Sequence, residues 1–283
     1  MLKTTQQSVA RWETGKAEPS LSALRDLAII FGTSVDDLVG KNPLSDSVTT
    51  TTYTLLLKGN HDGYWGNVGV LLPGQQHTRW YPITSGERSR IINSFENESG
   101  WLRFSTLNNR MVVMNIPKIK RVTFLDEACD QPFGDWEVEW DTVEGNPLEL
   151  YRALEDYASY EGEIGDSASP QLISIIEDLV KKNGWDEETI SKITTETNIW
   201  FADGSQMSYW VAEDDLWSLA TSVDFESDER MLSLYAENTE MESFFPRDGV
   251  VLVEMPLIHV MDAAKRELLE SEGEGMEANE EQT

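Results

Sequence analysis

The stretch Thr4-Thr5-Gln6-Gln7-Ser8-Val9-Ala10-Arg11-Trp12-Glu13-Thr14-Gly15-Lys16 places a good helix N-cap, Thr5, before a run free of proline and glycine, and closes on a glycine turn. Val9 and Trp12 have helical spacing and are expected in a core. Arg11 falls one turn past Gln7 on the same face. Working outward, Pro19-Ser20 opens a second helix in which Leu21, Leu24, Leu27, Ala28 and Phe31 recur at three- and four-residue steps. Gly32 ends it, Ser34 caps a short third helix with Asp37 as its capping-box acid, and Gly40 closes that one.

The order of these features resembles the Cro/repressor (XRE) family of helix-turn-helix proteins. The family reads Val-Ser, a spaced valine, Trp-Glu, a glycine, then Pro, a helix, and a Gly-hydrophobe-Ser turn before a short last helix. The match runs through Pro19, the Leu21–Phe31 helix and Gly32-Thr33-Ser34-Val35-Asp36-Asp37-Leu38. The resemblance implies that the helix after Thr5 is a recognition helix whose N-terminal end enters the major groove of double-stranded DNA. Gln6, Gln7 and Arg11 are then the base-reading candidates, since glutamine pairs with adenine N6/N7 and arginine with guanine O6/N7. Thr5, Ser8 and Lys16 suit phosphate contacts that set the docking register. The family's first helix and nearly all of its second would precede Thr4. Two readings stay open: a start upstream of Met1, or a remnant that has lost autonomous DNA binding.

Charge tests this expectation. The 283-residue chain carries a formal charge of −29. Residues 1–60 hold equal numbers of basic and acidic side chains, so the whole excess lies beyond them. An acidic body repels phosphate over a Debye length, about 8 Å at physiological salt. It suppresses non-specific DNA binding and leaves a locally basic tip able to bind.

The remainder predicts an α+β protein: a small all-helical, partial helix-turn-helix segment (1–40), then a strand-rich body with two β units and intervening helices. Residues 41–52 are polar and punctuated and are expected to be a linker. In the first β unit (53–145), Tyr53–Lys58, Gly66–Leu72, Trp101–Leu107, Met111–Asn115 and Ile119–Leu125 have strand composition. The helical segment (146–197) holds helices opened by Asn146-Pro147, Ser169-Pro170 and Asp186, with a hinge at 162–169. The second β unit (198–270) pairs Ile199–Ala202 with Met207–Val211 around Asp203-Gly204, adds Met231–Ala236 and Val250–Val253, and ends in a helix. Residues 271–283 form an acidic tail expected to be disordered. Val112–Ile119 and Val250–Ile258 look alike, and each runs on to an acidic-alanine pair, Glu127-Ala128 and Asp262-Ala263. They read as a weak internal repeat of small, barrel-like β domains.

Other chemistry finds little support. Cys129 is the only cysteine, and His61, His77 and His259 show no ligand spacing, so no metal is expected. Asn60-His61-Asp62-Gly63 reads as a turn rather than a catalytic pair. Phosphate-binding, dinucleotide, zinc-protease and serine-hydrolase motifs are all missing from the sequence. No catalytic residue and no cofactor are expected, and the chain is not expected to be an enzyme. Ten tryptophans, all but Trp12 in the body, are read mostly as core. With no secretory signal and no membrane span, the expected location is the cytoplasm. The expected protein is a repressor-type regulator, a homodimer with an acidic sensor or oligomerisation region and an effector, small molecule or protein, that the sequence does not identify. Two alternatives come from other classes: an interaction module or DNA mimic with a remnant helix-turn-helix, and an antitoxin-like adaptor.

Overall fold

The computed structural model describes residues 4–31, 35–39, 64–97, 100–129, 135, 147–160, 164, 168–222, 230–236 and 239–267. It divides into a helical unit, residues 1–42 with 146–194, and a strand unit, residues 43–145 with 195–283. The expected strand Tyr53–Lys58, the linker, the His61-Asp62 turn, most of the hinge and the acidic tail lie outside the described residues.

In the helical unit, α1 (Gln6–Glu13), α2 (Leu21–Phe31) and α3 (Val35–Leu38) come from the N-terminus. The helices α5 (Leu148–Ser159), α6 (Pro170–Asn183) and α7 (Glu187–Thr194) come from mid-chain. Their ends follow local chemistry. Ser169 caps α6 by accepting from Leu172 N–H, Pro170 fills the first turn, and Gly184 ends the helix at φ 67°. Asp186 Oδ1 accepts from Thr189 N–H and opens α7. The helix α5 packs against α2, α6 and α7. It buries Leu150, Tyr151, Ala153 and Leu154, and α6 adds Leu172 and Ile176.

Among the described residues every strand pairing in the strand unit is antiparallel. A three-stranded sheet runs β2-β1-β5, from β1 (Tyr64–Leu71), β2 (Arg79–Thr84) and β5 (Arg121–Asp126). A five-stranded sheet runs β3-β4-β10-β6-β7, from β3 (Trp101–Ser105), β4 (Arg110–Asn115), β6 (Glu196–Phe201), β7 (Gln206–Trp210) and β10 (Val250–Pro256). The pair β8 (Met231–Ala236) and β9 (Met241–Pro246) forms a separate hairpin. Helices α4 (Ser85–Asn97), α8 (Glu213–Ser222) and α9 (257–267) complete the unit.

These elements repeat one order: hairpin, helix, hairpin, 3-10 turn, strand. The first copy is β1-β2-α4-β3-β4, the turn Ile116–Lys118, then β5. The second is β6-β7-α8-β8-β9, the turn Arg247–Gly249, then β10. Three details recur at matching places. Asn109 and Glu240, the turn residues just before β4 and β9, both have positive φ, 59° and 52°. An acid in the first turn of each helix, Glu87 or Asp215, accepts the N–H of a residue near the end of the following strand, Ser105 or Tyr235. Both 3-10 turns close on an extended residue, Ile119 or Val250.

The repeat therefore exists in a different alignment from the one expected. β4 corresponds to β9 and β5 to β10, whereas the similar-looking β4 and β10 are sheet neighbours. Their likeness arises because both are fully buried apolar strands.

Four of these elements, β2, α4, α8 and β9, are absent from the strands and helices read along the sequence. The strand β2 carries Pro82 in its interior, normally a mark against a strand. The helix α4 has a weak apolar stripe, and β9 opens on exposed residues. Gly66 permits the β1–β5 approach: its φ is 154°, and a Cβ there would lie 2.2 Å from Leu125 O.

The apolar core gathers Val68, Val70, Ile83, Phe104, Val112 and Leu252 from both repeats. A polar cluster joins the repeats beside it. Glu254 on β10, 1% exposed, accepts from Arg79 Nε at 3.1 Å and from the Tyr81 hydroxyl. The Arg79 guanidinium also lies 4.2 Å from the centroid of the Trp200 ring. Burial above all, and then the Glu254 carboxylate, push the Tyr81 phenol well above its usual range and keep it a donor.

The sign of the resulting pH dependence follows. The unfolded chain releases the Tyr81 proton near pH 10, while the folded chain holds it, so stability from this group is present below that pH and lost as pH rises above it. Urea midpoints should therefore fall more steeply above about pH 10 in wild type than in Tyr81→Phe. Equal slopes would show that the phenol titrates alike in both states.

Candidate nucleic-acid interface

The helix α1 begins where its cap predicts. Thr5, extended at φ −93° and ψ 154°, accepts from Ser8 N–H through its side chain at 3.2 Å. The Thr5 and Ser8 hydroxyls also share one hydrogen bond of 3.0 Å, which leaves one of the two O–H protons for an outside acceptor. Gln6 and Gln7 follow at the exposed N-terminal end, and Arg11 is exposed one turn further on. Thr5 and Lys16 are exposed as well, and Ser8 is half-buried. The helix ends at Thr14, whose N–H and hydroxyl both bond Ala10 O, and Gly15 turns the chain at φ 65°. Val9 and Trp12, expected in a core, are half-buried, and α1 has no fully buried residue.

What lies behind this segment differs from the apolar stripe read along α2. Leu21 (53% exposed) and Phe31 (66% exposed) face solvent, while the buried residues are Arg25, Asp26 and Ala28. Arg25 Nε donates to Glu149 Oε1 at 2.5 Å, with both side chains about 5% exposed, and Nη1 donates to Asp156 Oδ2 at 2.8 Å. Glu149 and Asp156 lie two turns apart on α5, so one arginine spans a ridge of that helix. Burial is the largest influence on Glu149 and pushes its carboxyl up, while the Arg25 charge pulls it back. Next to it, Asp26 Oδ1 accepts from the Ser169 hydroxyl at 2.7 Å. Ser169 is the cap of α6, so the Asp26 charge lies at the positive end of that helix.

The sequence expectation missed Arg25, Asp26, Glu149 and Ser169 as positioning residues. The available signal was a charged pair inside an otherwise apolar helix, with Arg25 three residues before Ala28.

Residues 1–38 match a family model described as helix-turn-helix. The N-terminal segment is an XRE-type helix-turn-helix. No curated protein and no solved structure matches the chain. The helix-turn-helix segment packs its α2 against α5, a helix from mid-sequence. No helix among the described residues is long and apolar enough to cross a membrane.

Removing one partner of a buried ion pair strands the other charge. Arg25→Ala should destabilise the helical unit by about 3–5 kcal/mol, and the double variant Arg25→Met/Glu149→Met should recover most of that loss. Urea denaturation followed by far-UV circular dichroism measures both. A double variant no more stable than Arg25→Ala would show that the pair holds nothing that apolar packing can replace.

Proposed function

We propose that this chain is a sequence-specific DNA-binding transcriptional regulator, acting as a repressor. The observation that carries the reading is the exposed, capped N-terminal end of α1, inside a segment that matches the helix-turn-helix family. Gln6, Gln7 and Arg11 present side chains able to make bidentate hydrogen bonds to adenine and guanine edges in the major groove. The free hydroxyl proton of the Thr5–Ser8 pair and the Lys16 ammonium serve the phosphates. Buried anchors on α2 support this role, because a reading helix needs a rigid platform to keep its docking angle.

A single short helix reads one half-site, so the regulator works as a homodimer on a two-fold operator. The acidic strand-rich body is the region for oligomerisation and for sensing an effector, a small molecule or a protein. The body is proposed to have no catalytic role, and the proposed location is the cytoplasm.

A second reading has its own observation. The formal charge of −29 favours an interaction module that engages a basic partner or imitates DNA. Binding of the full chain to its own promoter DNA, against scrambled competitor and over a range of salt, separates the two. The regulator binds selectively and weakens steeply with salt, and the module does not bind.

Within the first reading, Gln6→Ala and Gln7→Ala should each weaken specific binding by about 1–3 kcal/mol and leave thermal stability unchanged. Lys16→Ala should weaken all sequences alike and flatten the salt slope by about one unit. Fluorescence anisotropy with matched and scrambled duplexes reads both. Loss of stability in the glutamine variants would sink their assignment to base reading.

A further inference from the structure

Arg25, Arg79, Arg90, Arg103 and Arg121 each donate to a carboxylate or a carbonyl oxygen. Arg88 on α4 does not. Its guanidinium carbon lies 4.7 Å from the centroid of the Trp65 ring and 5.7 Å from that of Phe124. Those two rings meet edge to face at 6.3 Å. The Arg88 Nε is buried and meets no acceptor among the described residues.

Nothing on its own helix neutralises it. The residues one turn away on either side are Thr84, Ser85, Ile91 and Ile92, none of them charged. The adjacent acid, Glu87, is taken up by Arg90 and Ser105. The chain has 51 acidic side chains, yet among the described residues none pairs with this cation.

The fold does not demand an arginine here. Matching the acids Glu87 and Asp215 of the two repeats puts Leu216, 1% exposed, in the place of Arg88. Matching the 3-10 turns puts Val253 and Met255, both buried, in the places of Val122 and Phe124. The second repeat thus uses hydrocarbon at all three positions. In the first, Trp65, Val122 and Phe124 are only half-buried, so an aromatic surface stays within reach of solvent around the guanidinium.

A buried donor without an acceptor is costly, and a leucine would remove that cost. What the arginine adds is a positive fork held on two rings. The rings fix the guanidinium through its face, and its Nη1 and Nη2 edge matches the two oxygens of a carboxylate.

We propose that Arg88, Trp65 and Phe124 form a binding site for a small monocarboxylate with an apolar body. The guanidinium takes the carboxylate, and Trp65, Phe124 and Val122 take the apolar part. Net charge narrows the ligand further. A chain at −29 repels polyanions, and a single negative charge suffers least from that field. The inference deepens the effector sensing proposed above by naming the place and the ligand class. Its meaning for regulation rests on that reading, whereas binding itself does not.

Isothermal titration calorimetry of the full chain without DNA tests the site. The probes are phenylacetate and hexanoate, with phenylacetamide and hexanamide as neutral counterparts of the same shape, and inorganic phosphate. Each carboxylate should bind about tenfold or more tightly than its amide, because only the acid engages the charged fork. Both should also bind more tightly than phosphate, which has no apolar body. Arg88→Met keeps the reach of the side chain over the rings and should abolish the preference for acid over amide. If that variant does not fold, Arg88→Lys keeps the charge, loses the fork, and should cut the preference about fivefold.

Equal affinity for acid and amide overturns the proposal, as does binding in the Arg88 variant that matches wild type. Phosphate binding as tightly as the carboxylates overturns the ligand class, and no binding of either carboxylate overturns the site. Because DNA is absent from the experiment, any of these results leaves the DNA-binding reading standing.

Discussion

The ion pair between Arg25 and Glu149 is the constraint that fixes α2 of the helix-turn-helix segment against α5. It lies in the interior and links helices far apart in the chain. A guanidinium with this little exposure is tolerated only when its donors find acceptors. Glu149 and Asp156 supply them from one face of α5, and Asp26 extends the contact to the cap of α6. Charge here does what apolar contact does in most helix pairs, with an added demand on geometry. Such a pair contributes little net stability over well-packed hydrocarbon, but it penalises any shifted register, because a slip leaves a charge unpaired in the interior.

The strand unit solves a different problem. Five-element repeats of this size expose strand edges, and an exposed edge is an open template for another strand. Within the chain the joint between β4 and β10 removes two of those edges, and the Arg79–Glu254–Tyr81 cluster stands beside it. The cluster has no equivalent in the other half of the pattern: the residue matching Glu254 is Thr123 on β5. The repeats have thus kept one backbone plan while their buried polar chemistry diverged. This divergence explains why comparing residues along the sequence aligned β4 with β10, two buried strands alike in composition but not in position.

Much of the local structure was legible. Thr5, Ser20, Ser169 and Asp186 opened helices as their side-chain oxygens predict, and Asp203-Gly204 turned a hairpin. Of the six residues proposed for DNA contact, five are exposed. The stripe on α2 was less legible, because Leu21 and Phe31 satisfy a helical period without being buried. Trp12 and Val9 likewise have core spacing and only half the burial it suggests. Period reports which residues share a face; it carries no information about what that face meets.

By itself the sequence determined the helix starts at Thr5, Ser20, Ser169 and Asp186, the Asp203-Gly204 hairpin turn, the neutral charge of the first sixty residues against the acidic remainder, and the resemblance of its N-terminus to one family. These properties depend on hydrogen bonds and sterics within a few residues, or on composition. The tertiary structure alone decided that the helices of residues 148–194 stand with the N-terminal segment, that Arg25 rather than Leu21 faces inward, and that β4 lies beside β10. Each of those outcomes joins groups more than a hundred residues apart. Such a choice is settled by which surfaces complement each other once water is excluded, a comparison among all available partners that no local window of residues contains.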